Sequence, residues 1–358
     1  MSKLEEYRIN NENWFEVAYK DAISEDRGSC DENEKARYAL LIQIQYDFQE
    51  SDQELIRFLF EQEIIAREKD EFQGIGSALW LGAFLLAKFR APADISLFYR
   101  AKNSNFDTHC GFDIEFVFWP LKDNTDAYLA DNHPELLNDL GGIYLESGIN
   151  ETISEWWAGQ LGQYPDCVEK ELPLVLYERS LYFEDIEKAK EYLDSWASNE
   201  PESDRKQSYL KYAYKEIGEF DKAISIAKKD INLKGPGWDK ASAFRDLLEL
   251  YTRSGAPSVA LQYIESIDAE FKRFDNWKRA GLGHMTVKSA FEYSIECNDS
   301  SAGKKAFKYA NAWGNQVNKL PFVVLEAGMQ AAEKWNMYFK AKKYKKLAEQ
   351  ERARIDSM

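Results

Sequence analysis

Proline and glycine are scarce, at 9 and 19 of 358 residues. A sandwich or barrel of many short strands needs more turn residues than that, and collagen-like or linker-like sequence needs far more. Cysteine is sparse as well. Cys30, Cys110, Cys167 and Cys297 stand far apart, and no Cys-x-x-Cys pair occurs. That leaves neither a zinc knuckle nor a dithiol motif. In a chain this long the four are expected as reduced thiols, and the expected compartment is the cytoplasm. Long apolar runs are missing too. The nearest, residues 75–87, is broken by Gly76 and Ser77 and is too short to span a bilayer, so it is expected to be a buried helix. The opening Met-Ser-Lys-Leu-Glu-Glu has no apolar stretch behind its lysine, so no signal peptide is expected.

What the chain does have is charge and aromatic rings. Lys and Arg number 46 and Asp and Glu 62, for a net charge of −16; aromatics make up 14%. The excess is local. Residues 1–150 carry 14 basic and 29 acidic residues, whereas 151–358 carry 32 and 33. The last stretch, 301–358, reverses sign with 12 basic and 5 acidic residues. Such a balance argues against nucleic acid or an anionic membrane as the ligand. The densest acidic stretch is Asp21, Glu25, Asp26, Asp31, Glu32 and Glu34, interrupted by Arg27, Lys35 and Arg37. It serves either solubility or the steering of a basic partner.

Periodicity is helical almost throughout. Leu55, Phe58, Leu59, Ile65 and Ala66 share one helical stripe, interrupted at Gln62; Leu79, Ala83 and Leu86 form another. Strict alternation is rare. Ile114–Trp119 reads as a strand or as a buried helical turn. The expected fold is all-α.

Internal repetition shapes that expectation. Aligned on an alanine, Asp185–Ala189, Glu219–Ala223, Ala256–Ala260 and Ala302–Ala306 place Leu193, Ala227, Ile264 and Ala310 four residues on. Trp196, Ile267 and Trp313 follow three later, with Asp230 as the exception. A small residue lets a neighbouring helix approach, and the larger ones continue the buried stripe. Tyr214 precedes Gly218 by four residues, and Tyr251 precedes Gly255 by four. A left-handed glycine ends a helix there, and the aromatic packs on the returning helix.

Tyr214, Gly218, Phe220, Ala223 and Ala227 resemble the tetratricopeptide repeat signature, and Tyr251, Gly255, Ala260 and Ile264 resemble it again. The resemblance covers roughly residues 170–316; the units around Ala189 and Ala306 lack the turn glycine in register. It implies a right-handed α-solenoid of stacked helical hairpins with a concave, protein-binding face. The expected division is an acidic, irregular helical region over 1–150 and a repeat region over 151–358 packed continuously with it. By the same resemblance the first helix of each hairpin lines the groove. Its inward positions are then Arg205, Ser208, Tyr212 and Lys215, followed by Ser242, Arg245, Glu249 and Thr252. Their basic members imply an acidic or C-terminal carboxylate ligand. The segment 97–113 also resembles one in uncharacterised bacterial helical-repeat proteins, which favours a bacterial source.

No catalytic constellation emerges. His109 and Cys110 are adjacent and so point to different faces. His133 and His284 lack metal-like neighbours, and phosphate-loop, dinucleotide and nucleophile-elbow motifs are absent. Asn105, Asp107 and Thr108 suit a helix cap, Gly111 a bend, and Arg100 or Lys102 a pairing with Asp107 or Asp113. Trp156 and Trp157 are expected in a packing seam. The chain is therefore expected to be no enzyme, with no metal and no cofactor, and to bind another protein. The first expectation is a bacterial immunity protein that occludes a basic toxin domain. The alternatives are a peptide-binding adaptor, chaperone or scaffold, and an enzyme whose site only the fold would reveal.

Overall fold

The computed structural model describes residues 3–24, 28–70, 74–137, 139–140 and 149–357. It is 78% helical with almost no sheet, so the chain is all-α. The chain forms two compact units, Met1–Leu176 and Tyr177–Met358, divided after the expected 150/151 position. No helix among the described residues is long and apolar enough to cross a membrane.

The first unit is irregular. It runs through α1 (Lys3–Ile9), a hairpin of β1 (Asp21–Ser24) and β2 (Gly28–Asp31), α2 (Glu34–Tyr46), α3 (Gln53–Lys69) and α4 (Ser77–Ala87). Then come α5 (Ile95–Lys102), α6 (Phe106–Gly111), α7 (Glu115–Phe118), α8 (Thr125–Asn132) and α9 (Ile149–Gln163). Helix α4 is the expected buried helix: Leu79, Ala83 and Leu86 are wholly covered, and α4 packs on both α2 and α3. On α3 the stripe holds at Leu55, Leu59 and Ala66, but Glu63 and Arg67 are buried beside it. Ile114–Trp119 is helical at α7. Phe116, Val117 and Phe118 are all fully buried, so the segment has no solvent face for a strand to alternate against.

Rings fill this core. Phe116 meets Trp156 edge-on at 4.8 Å, and Trp119 stacks on Trp157 at 4.6 Å. The Trp156 indole donates to Asp113 at 2.8 Å and that of Trp119 to the Ala87 carbonyl at 3.1 Å. Each such ring pair contributes roughly 0.5–1.5 kcal/mol beyond its buried area. Trp156 and Trp157 thus lie in a seam, as expected.

The second unit is regular. Helix α10 (Pro173–Tyr182) contains the division between the units and is followed by α11 (Ile186–Asn199). Four more helix pairs follow: α12 (Asp204–Glu216) with α13 (Phe220–Leu233), and α14 (Trp238–Arg253) with α15 (Pro257–Phe271). The last two are α16 (Gly281–Glu296) with α17 (Ser300–Gly314), and α18 (Phe322–Lys334) with α19 (Tyr338–Asp356). In these four pairs each first helix packs on its partner, and α14 packs on α16 and α16 on α18.

The turns explain the regularity. Gly218 and Gly255 are left-handed at φ 78° and 76°, as expected, and so are Glu184 (61°) and Asn336 (55°) at the same place in their turns. Behind three of them the same bond recurs at 2.8 Å: Asp185 N to Ser180 O, Glu219 N to Tyr214 O, and Met337 N to Ala332 O. That bond satisfies a carbonyl the helix end would otherwise orphan. Glutamate and asparagine make the turn at a steric cost that glycine avoids, which is why glycine alone did not reveal it.

Counting from each second helix's first residue, the fourth position holds Ala189, Ala223, Ala260 and Gly303. The three alanines have no exposed surface, and Gly303 is buried too. The alignment on Ala306 therefore sets the fourth pair three residues late, although Ala306 is itself fully buried. Glycine is required at 303: a Cβ there would lie 2.2 Å from the Trp335 ring.

Candidate functional site

Two groups of residues were singled out by the sequence, and the structure treats them differently. Asp21, Asp31, Glu32 and Glu34 lie on the β-hairpin and the start of α2. Glu25 and Asp26 lie outside the described residues. Asp31 is not an exposed charge. Its carboxylate is 3% accessible, accepts from the backbone N–H of Lys20 and Asn33 at 3.0 Å, and pairs with Arg37.

Arg37 is the centre of a buried network rather than a surface interruption. Its Nε donates to Glu63 at 2.7 Å with both side chains fully covered, and its Nη1 donates to the Val17 carbonyl at 3.1 Å. Burial pushes the Glu63 carboxyl up, against the pull of Arg37. Glu34 sits 3.6 Å from Arg67, and Glu32 pairs with Lys20 at 2.8 Å on the surface. Asp21 is exposed and held below the usual carboxylate range by the Ser29 hydroxyl, which donates at 2.7 Å. Much of the acidic stretch is thus neutralised from within.

On the second unit the structure gathers Tyr212, Lys215 and Glu249. They line one small cleft between α12 and α14 with Lys211, Asp246 and Leu250. Lys215 pairs with Glu249 at 2.5 Å and Lys211 with Asp246 at 2.6 Å. Burial opposes the Lys211 charge, but Asp246 more than offsets it and the pKa rises. Arg245 also reaches Asp246, at 2.9 Å, and its other arm touches the Met285 sulfur on α16 at 3.4 Å. This cleft is therefore balanced rather than basic, because Lys211 and Lys215 of α12 each meet a carboxylate of α14. An anionic ligand does not find free cations there.

Arg205 lies apart from Tyr212. It is exposed and lines a larger groove of about 730 Å3 with Ser208, Lys211, Lys229, Asp230 and Leu233. Thr252 is buried and donates back to the Leu248 carbonyl at 2.7 Å, so it turns away from the surface. Lys211, Asp246 and Met285 went unrecognised. The available signal was opposite charge 35 residues apart on two successive first helices, Lys211 against Asp246. Among the large apolar side chains of the row, Tyr212 is 53% exposed and Met285 54%.

The polar segment 100–113 is structural. Asn105 caps α6, accepting from Thr108 N at 2.8 Å while the Thr108 hydroxyl accepts from Asn105 N at 2.9 Å. Arg100 pairs with Glu61 and Glu68 rather than with an aspartate of its own segment, and Lys102 donates to the Phe112 carbonyl at 2.8 Å. His109 and Cys110 are both exposed on α6. Among the described residues no group of three or more His, Cys, Asp or Glu is placed to hold a metal. No protein-family model, no characterised protein and no solved structure matches the chain.

Proposed function

We propose that the chain is a protein-binding helical-repeat protein. Its second unit is a tetratricopeptide-like, right-handed solenoid, and the row of first helices α12, α14 and α16 is its binding face. The observation that carries this reading is the exposed pair Tyr212 and Met285, set beside rigid inter-helix ion pairs. Aromatic and methionine side chains are enriched at the cores of protein interfaces, and a tyrosine buries a large area at small entropic cost when a partner covers it. The repeated turn geometry supports the solenoid, since every hairpin that shares it presents its first helix alike.

The reading is of an adaptor or chaperone in the cytoplasm, binding a protein segment with an apolar anchor. It involves no catalytic step, metal or cofactor, and neither nucleic acid nor a membrane as ligand. The second reading, an immunity protein that occludes a basic toxin, rests on the 29 acidic residues among 1–150. The internal pairing of Asp31 and Glu34 weighs against steering by that stretch. The test compares two variants in a pull-down from the native host. Tyr212→Ala with Met285→Ala should lose the partner, and Asp21→Lys with Glu32→Lys should keep it. The reverse pattern would favour the toxin inhibitor.

A further inference from the structure

The last helix pair departs from the other four at one place. The fourth and eighth residues of each second helix form its buried stripe. They are Ala189 and Leu193, Ala223 and Ala227, Ala260 and Ile264, and Gly303 and Phe307, with every side chain at most 2% exposed. In α19 the same positions are Ala341 and Lys345. Ala341 is only half-buried and Lys345 is exposed. Both line an open groove of about 830 Å3, together with Met337 and Tyr338. Tyr338 is 71% exposed and its neighbour Phe339 86%. The positions that every earlier pair covers are here left open, and α19 buries Tyr344 and Ala348 instead.

The charge along the first eleven residues of α19 is one-sided. Residues 338–348 hold Lys340, Lys342, Lys343, Lys345 and Lys346 and no acid. Lys343 donates to the Asn315 side chain at 2.7 Å. Among the described residues, Lys342, Lys345 and Lys346, which rim the groove, pair with no carboxylate within 4 Å. Elsewhere in the second unit many lysines do pair, as Lys211, Lys215 and Lys305 show. Two carboxylates, Glu333 and Glu349, also line the groove. A lipid headgroup layer or a phosphate backbone would press uniform negative charge against both of them. A peptide can place a neutral or basic residue opposite each.

The geometry points to a docking surface on α18 and α19 for an acidic amphipathic helix of a partner protein. The helix lays its apolar stripe over Met337 and Ala341 and its carboxylates against Lys342, Lys345 and Lys346. From Tyr338 to Glu349 the surface is about 16 Å long at 1.5 Å per residue, three turns of a docked helix. The surface is distinct from the row carrying Tyr212, so its failure leaves the proposed function standing.

The test uses the full chain and a labelled synthetic 15-residue helix with a leucine stripe flanked by glutamates. Its control carries lysines in place of the glutamates. The glutamate helix should bind, and the lysine helix should bind at least about tenfold more weakly. Binding should weaken several-fold between about 0.05 and 0.3 M salt, as exposed charges are screened. Lys342→Glu, Lys345→Glu and Lys346→Glu together should abolish binding with the melting curve unchanged, since all three are exposed. Ala341→Trp, which fills the groove without altering charge, should abolish it as well. Equal binding of the two helices, or binding indifferent to both variants, overturns the proposal. So does tighter binding of phosphatidylserine vesicles or of a single-stranded oligonucleotide at the same surface.

Discussion

The two units bury charge in opposite ways. In the first, arginines cross between elements to reach covered carboxylates: Arg37 to Glu63, Arg8 to Asp52 at 2.8 Å, and Arg57 to Asp94 at 2.6 Å. Each of those three carboxylates is at most 2% exposed. In the second, ion pairs sit mostly at the surface or at the seam between first helices, and the interior is held by small residues at a repeating position. An irregular fold has no repeated contact to exploit, so ion pairs that reach between elements fix which short helix meets which. A repeated fold obtains its register from the turn and from the fourth residue after it.

That contrast ranks the expected effects of substitution. The largest should come from Arg37→Met, which strands Glu63 and Asp31. Removing one partner of a buried pair costs about 3–5 kcal/mol, so urea unfolding should shift by that amount. A shift below about 1 kcal/mol would mean that water reaches the network. Next is Ala260→Trp, at a position with no exposed surface. Overpacking there costs about 1–3 kcal/mol or more, and Ala223→Trp should match it. Unchanged melting in both would mean the repeat register is wrong.

Smaller still is Lys215→Met, which breaks a partly exposed pair with Glu249. The expected cost is about 0–1 kcal/mol. A loss as large as that of Arg37→Met would erase the distinction between the units. The smallest effect should come from Glu32→Lys, whose pair with Lys20 is more than half exposed. Melting should move by no more than about 0.5 kcal/mol. Asp31→Lys, one residue away, should be far more costly, and equal effects at the two positions would contradict the buried network.

How much of this was legible follows the same division. The second unit was readable because its rule is local. Tyr214, Gly218 and Ala223 lie within ten residues, and spacing alone exposes them. Where the turn uses Glu184 or Asn336 the glycine signal vanishes although the geometry stays, so the first pair matched poorly and the last lay beyond the resemblance. The alignment at Ala306 missed Gly303 because it was centred on an alanine, while the packing of Gly303 against Trp335 is visible only in three dimensions. In the first unit the seam of Trp156 and Trp157 was legible from composition. The Arg37 network was not, because its members at 31, 37 and 63 come from three different elements. Charges read along a chain look like surface, and only the fold shows that Asp31 and Glu63 face one guanidinium. The same limit produced the expectation of a basic groove: Lys215 was visible, and its partner Glu249 was read as a neighbour rather than a counter-ion.

The central claim is that recognition runs through the first-helix row of the second unit and not through the acidic stretch. The direct measurement places a photo-crosslinking residue at position 212 in one variant and at position 32 in another, each expressed in the native host. The account predicts that one protein partner is captured in defined yield at 212 and none at 32. Capture at 32 with none at 212 would contradict it.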